Sequence, residues 1–183
     1  MKNRKIKIPK HLISEAWDYA VLSKKFTSNR HDFHEGGLDN KAQKMFEGKL
    51  GEKIFKILLE ENCIPYKEDS SSYKEADTYD FLLPDNCSVD VKTRTKHYHT
   101  RTLEMVEQIN RSPKTLYISI QLFVETREGI VVGWCVREDF LKKNRIENQN
   151  YLDNFVLYDS ELRPIERLFE IFKEKGYESK LVL

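Results

Sequence analysis

The stretch DTYDFLLPDNCSVDVKT, residues 77–93, leaves a chain few ways to fold. Apolar and polar residues alternate on both sides of Pro84, Asp85 and Asn86, which suit a three-residue hairpin loop. Pro84 pre-sets a type I turn, and Asn86 is among the few residues that tolerate the left-handed position closing it. That register sets Leu83 opposite Cys87, Phe81 opposite Val89 and Asp80 opposite Asp90. Side chains alternate along a strand, so Phe81, Leu83, Cys87, Val89 and Val91 share one face, and Asp80, Asp90 and Lys92 share the other. The first set is a core face. The second needs an explanation, because charged residues are depleted in strands and a carboxylate buried without a partner costs several kcal/mol.

Opposed strand residues have Cβ atoms about 5 Å apart, so the two carboxylates repel unless a cation lies between them. Oxygen donors without His or Cys suit Mg²⁺, which takes one or two carboxylates, several waters and substrate phosphate. Lys92, two residues after Asp90, points into the same place and can orient a water or stabilise charge on a phosphate. Taken alone, Asp-x-Lys on a strand is an ordinary solvated ion pair; Asp80 is what gives it weight.

A second signal is FEGKLGEKIFKILLEE, residues 46–61, which reads as a helix with an apolar stripe of Phe46, Leu50, Ile54, Ile57 and Leu58. Gly48 and Gly51 each cost roughly 1 kcal/mol against Ala inside a helix, which implies a close approach of its backbone to something. Glu52 sits just beyond them and can lean over the sheet toward Asp80 and Asp90.

Glu52 in GKLGEKIF, Asp80 in YDF, and Asp90 with Lys92 in VDVKT together resemble the PD-(D/E)XK nuclease superfamily, the restriction-endonuclease-like fold; the likeness spans about residues 45–140 in element order. A literal Pro-Asp occurs at Pro84 and Asp85, but it falls at the hairpin tip, so the motif's first acid is assigned to Asp80. The resemblance implies a mixed four-stranded sheet flanked by helices and Mg²⁺-dependent hydrolysis of phosphodiester bonds, with Mn²⁺ able to substitute. It implies that Asp80 and Asp90 bind the metal, that the Val91 carbonyl completes its shell, that Glu52 contributes directly or through water, and that Lys92 positions the attacking water. DNA is the implied partner, and pairing with a second copy of the chain is left open.

The run KTRTKHYHTR follows at once and brings Arg94, Lys96 and Arg101 beyond the site, with Tyr98 able to stack on an unpaired base. His97 and His99 form an HxH pair, but the carboxylates already account for a metal; His31 and His34 read as helix-joint residues. Gln121 reads either as a polar residue facing the site or as an edge hydrogen-bonder, and Trp134 as core.

Elsewhere, residues 9–29 carry Leu12, Ile13, Ala16, Trp17, Ala20 and Val21 at helical spacing, and Asp39 is placed to cap the second helix. TRTLEMVEQIN predicts a short helix, TLYISIQLFVE and IVVGWCVRE two central strands, Asp139 the start of another short helix, and residues 145–154 a polar linker. The chain then reads as a strand and an amphipathic helix. The whole predicts one α/β (α+β) domain: a helical extension over residues 1–38, a core over 39–145, and a strand-helix extension over 146–183.

At 183 residues with a net charge of +1, composition neither requires nor excludes nucleic acid. No apolar run approaches the roughly 20 residues that span a bilayer, and no apolar segment follows the basic start, which predicts a cytoplasmic protein without a membrane partner. The three cysteines lack the spacing of a zinc site or disulfide framework. A Gly-rich phosphate loop, a GxSxG elbow and an HExxH helix are all absent, which disfavours small-molecule enzymes. The rival expectation is a nucleic-acid-binding or scaffolding module that keeps the fold without catalysis.

Overall fold

The computed structural model describes residues 4–23, 38–69, 78–149 and 152–177. Along them run β1 (Ile6–Lys7), α1 (Lys10–Ser23), α2 (Leu38–Glu61), β2 (Lys67–Glu68), β3 (Phe81–Leu83), β4 (Cys87–Arg94), β5 (Arg101–Met105), α3 (Val106–Arg111), β6 (Leu116–Phe123), β7 (Glu128–Val136), α4 (Arg137–Lys143), β8 (Ile146–Gln149), β9 (Leu152–Tyr158) and α5 (Ile165–Glu174). The protein is mixed α/β, with a mixed sheet flanked by helices. His31 and His34 lie outside the described residues, as does the side chain of Asp39. Among the described residues no helix is long and apolar enough to cross a membrane.

Strands β1-β7-β6-β4-β3-β2 form one sheet, in that order. β4 and β6 are parallel, and their neighbours are antiparallel. A parallel pair needs a long crossover, and residues 95–115 supply it. The crossover carries β5, which leaves the first sheet and pairs with β9; β8 completes a second sheet of order β5-β9-β8.

β6 is buried from Leu116 to Leu122 on both faces, and this divides the interior in two. On one side Ile118, Ile120 and Leu122 pack with Val89, Val91 and Phe81 and with Leu50, Ile54, Phe55 and Leu59 of α2; α5 seals this core with Leu168, Phe169 and Phe172. On the other side Tyr117 meets Ile109, Cys135, Phe140, Phe155 and Leu157, which join the sheets to α3 and α4. The segment read as a C-terminal extension thus contributes to both cores.

The hairpin register is as expected, with Phe81 paired to Val89 and Leu83 to Cys87. Its turn differs: Asp85 as well as Asn86 has a positive φ (59° and 54°), so the loop closes through two left-handed residues, with the Cys87 N–H donating to the Pro84 carbonyl, rather than as a type I turn. Asp can occupy αL because its short carboxylate finds local partners. Here Asp85 accepts from Lys175 Nζ at 2.9 Å and from the Tyr177 hydroxyl, far from Asp90.

Three other expectations are corrected. Arg101–Met105 is a strand, not the start of a helix; its alternation is inverted, with Thr102 and Glu104 buried and the apolar Leu103 and Met105 on the more open face. Residues 146–149, read as linker, are β8, an edge strand paired with β9 alone among the described strands. Trp17 and Val21, placed on the buried stripe of α1, are 47% and 45% exposed, and Trp17 meets Phe46 edge-on at 5.3 Å. Trp134 is core, as expected, with Nε1 donating to the Pro164 carbonyl at 2.9 Å.

Candidate functional site

β4 presents its apolar residues to the α2 side and Asp90, Lys92 and Arg94 to the second sheet. On that face the neighbours along β6 are Tyr117, Ser119 and Gln121, so the charged row lies on a floor between the sheets instead of in open solvent. Beside it opens a cleft of about 800 Å³, walled by Lys44, Glu47 and Gly48 of α2, by Lys96 and His99 of the crossover, and by Asn148 of β8.

Asp80 stands just before β3 and is tied to the same strand twice. Its N–H donates to the Val89 carbonyl at 2.9 Å, and its Oδ2 accepts the Val91 N–H at 2.7 Å. It shares a smaller hollow of about 320 Å³ with Glu52, Lys49 and Tyr79. Burial pushes the Asp80 carboxyl well above the usual range, and the charges of Glu52 and then Asp90 push it further. The structure therefore brings Glu52 and Asp90 each within electrostatic reach of Asp80. Lys49 Nζ pairs with Glu52 at 2.8 Å and offsets part of that charge.

Lys92 lies between two acids, 2.8 Å from Asp90 Oδ2 and 2.5 Å from Glu104 Oε2. Burial alone would lower its pKa, but the two carboxylates outweigh that and hold it above the ordinary lysine value, so the ammonium keeps its proton. Glu104, 1% exposed, is the residue that sequence reasoning missed. Burial raises its pKa, against the pull of Lys92. The signal was the polar alternation of Thr102 and Glu104, legible only once Arg101–Met105 is taken as a strand.

Gly51 is the close approach that the helix glycines implied. A Cβ there would stand 1.9 Å from Thr93 Oγ1 and 3.0 Å from Thr93 Cβ, so the missing side chain lets α2 lie against β4 and carry Glu52 toward the acids. Gly48 plays no such part: a Cβ there would meet nothing within 4 Å, and the residue lines the cleft.

The basic run divides. Arg94 is committed: both of its terminal nitrogens reach Asp159, at 2.7 and 2.6 Å, and Nε donates to Gln121 Oε1 at 3.0 Å. Gln121 is thus the partner of Arg94 and not an edge hydrogen-bonder. Arg101 pairs with Glu147. Lys96 is exposed at the cleft, and Tyr98 is 65% exposed at the crossover tip, with His97 and His99 standing edge-on to its ring at 5.4 and 4.8 Å.

For a metal, Asp80, Asp90 and the Val91 carbonyl offer hard oxygen donors, and two opposed carboxylates with water suit Mg²⁺. The raised Asp80 carboxyl fits as well, since a dication relieves the repulsion that raises it. Among the described residues no three His, Cys, Asp or Glu side chains converge as a metal-holding group, so backbone and solvent would have to complete the shell. Searched against models of protein families and against curated proteins, the chain matches none.

Proposed function

We propose that the chain is a Mg²⁺-dependent endonuclease that hydrolyses phosphodiester bonds in DNA, of the PD-(D/E)XK type. The observation that carries this reading is that Asp80 and Asp90 lie within electrostatic reach of each other across the hairpin, with Lys92 paired to Asp90 at the edge of an open cleft. The four inner strands β7-β6-β4-β3 form a mixed sheet between helices, which also supports it.

In this reading Asp80, Asp90 and the Val91 carbonyl would hold the ion, with Glu52 joining directly or through water; bound there, it would neutralise phosphate charge and acidify a water. Lys92 enters this reading as the cation paired with Asp90 and Glu104. Its role is to orient the attacking water or to stabilise charge developing on the phosphate. Glu104 holds Lys92 in place from the second sheet. Lys96 and Lys44 face the cleft where neighbouring phosphates would lie.

One observation favours the rival, a module that binds nucleic acid without cutting it. Lys92 and Glu52 are both occupied in ion pairs, and among the described residues no third side-chain acid joins the pair as a metal ligand. Incubation with plasmid, single-stranded, branched and RNA substrates, with and without Mg²⁺ or Mn²⁺, separates the two. A nuclease cuts only with metal, and Lys92→Ala or Asp90→Ala lowers its rate by about 100-fold or more. Unchanged cleavage in those variants assigns the activity to a contaminant, and binding without cleavage in every metal establishes the module.

A further inference from the structure

The cleft is poorly equipped to grip a duplex by charge. Binding a double helix through its backbone draws on about 6–10 phosphate contacts. Of the arginines at this cleft, Arg94 is spent on Asp159 and Arg101 on Glu147. Apart from Lys92, which is paired, this leaves Lys44 and Lys96 among the described cations that line it. Glu47 adds negative charge to the same wall.

Next to the cleft, in the turn between Lys96 and His99 of its wall, stands an aromatic side chain. Tyr98 is the most exposed large hydrophobic residue among those described, at 65%. Its position is not a matter of chance: the His99 N–H donates to the Lys96 carbonyl at 3.1 Å, closing a tight turn with Tyr98 within it. The base of the crossover is pinned as well. Arg94 and Asp159 pair across it, and the Asp159 N–H donates to the Thr100 carbonyl at 3.0 Å. Arg94, which the sequence offers as a phosphate binder, thus acts with Asp159 as a clamp at the base of the segment that carries Tyr98 between Lys96 and His99.

A solvent-facing aromatic ring on a held turn beside a few cations is suited to stacking on a base, and a base in a duplex has no free face to offer. We infer that the site takes a DNA strand where it is unpaired, with a base stacked on Tyr98 and the adjoining phosphates between Lys96 and Lys44, so that single-stranded or branched DNA is its substrate class. The inference names the substrate of the nuclease reading and rests on it for the chemistry, but the strand preference stands on binding alone.

The test therefore uses binding first. The full chain carrying Lys92→Ala, in EDTA, is titrated with a short oligonucleotide containing 2-aminopurine, both single-stranded and as a duplex. Single-stranded DNA is expected to bind at least about tenfold more tightly and to quench the probe. Tyr98→Ala should weaken that binding by roughly 5- to 150-fold, the worth of one stacked base, and leave duplex binding unchanged. Tyr98→Trp should restore it. Because Tyr98 is exposed, neither substitution threatens the fold. Equal affinity for the two DNA forms, or single-strand affinity indifferent to Tyr98→Ala, overturns the inference whatever the cleavage assay shows. Tyr98-dependent binding of single strands by a wild-type chain that cuts nothing in Mg²⁺ or Mn²⁺ upholds the strand preference and overturns the nuclease reading.

Discussion

Two glycines three residues apart on α2 should respond to alanine in opposite directions. At Gly48 a Cβ meets open space, so Gly48→Ala collects the full helix preference of Ala over Gly, about 1 kcal/mol. At Gly51 the same gain meets Thr93, with Oγ1 at 1.9 Å, Cβ at 3.0 Å and Cγ2 at 3.1 Å. Rotating Thr93 about χ1 moves Oγ1 but leaves the contact between the Cβ atoms, so α2 or β4 must shift. Overpacking of this kind costs about 1–3 kcal/mol. Gly51→Ala should therefore melt below Gly48→Ala by that amount, or about 2–12 °C for a chain of this size. Thr93→Ala supplies the control. The Thr93 hydroxyl is buried without a hydrogen-bond partner, so its removal alone costs little, and in the double variant it should recover most of the Gly51→Ala loss. Thermal melts of the four variants by circular dichroism measure the coupling. If Gly51→Ala stabilises the protein as much as Gly48→Ala does, α2 does not lie against β4 as described, and the placement of Glu52 beside Asp80 fails with it.

Two further outcomes test the site. Asp80 has a folded pKa above its ordinary 3.8, so above that value the unfolded chain binds fewer protons than the folded one and stability falls as pH rises toward the folded pKa; without divalent metal, Asp80→Asn should abolish that fall and melt higher at pH 7, whereas Val89→Asp, on the opposite face, should cost several kcal/mol. Glu104→Gln keeps the shape of the side chain but frees one side of Lys92, and should lower the cleavage rate by about 10- to 100-fold while leaving the melting temperature unchanged or raised, because a buried carboxylate is lost.

The part of the fold that was legible in sequence is the part in which hydrophobic periodicity and register agree. The hairpin, the long second helix, β6, β7 and the final amphipathic helix all announce themselves by a buried apolar face. What was hidden is the second sheet. β5 turns Thr102 and Glu104 inward, β8 is a polar edge, and the pairing partner β9 lies some fifty residues from β5, so no local pattern could reveal them. The candidate site divides along the same line. Asp80, Asp90 and Lys92 follow from the alternation on the hairpin, whereas Glu104 and the diversion of Arg94 to Asp159 depend on tertiary pairing. Charge in a sequence shows which groups are available, and only the fold shows which have already been spent.

The clamp between Arg94 and Asp159 spans 65 residues of sequence, and β5 has no pairing partner until β9 exists. Contacts of that separation form late, because the loop between them must be closed before they repay it. As the chain emerges from the ribosome, the hairpin with both acids can form long before the crossover above it is pinned, and through that interval β5 presents an unpaired edge. The hairpin with Asp80 and Asp90 is thus among the early parts of this molecule, and the crossover above it is among the last to set.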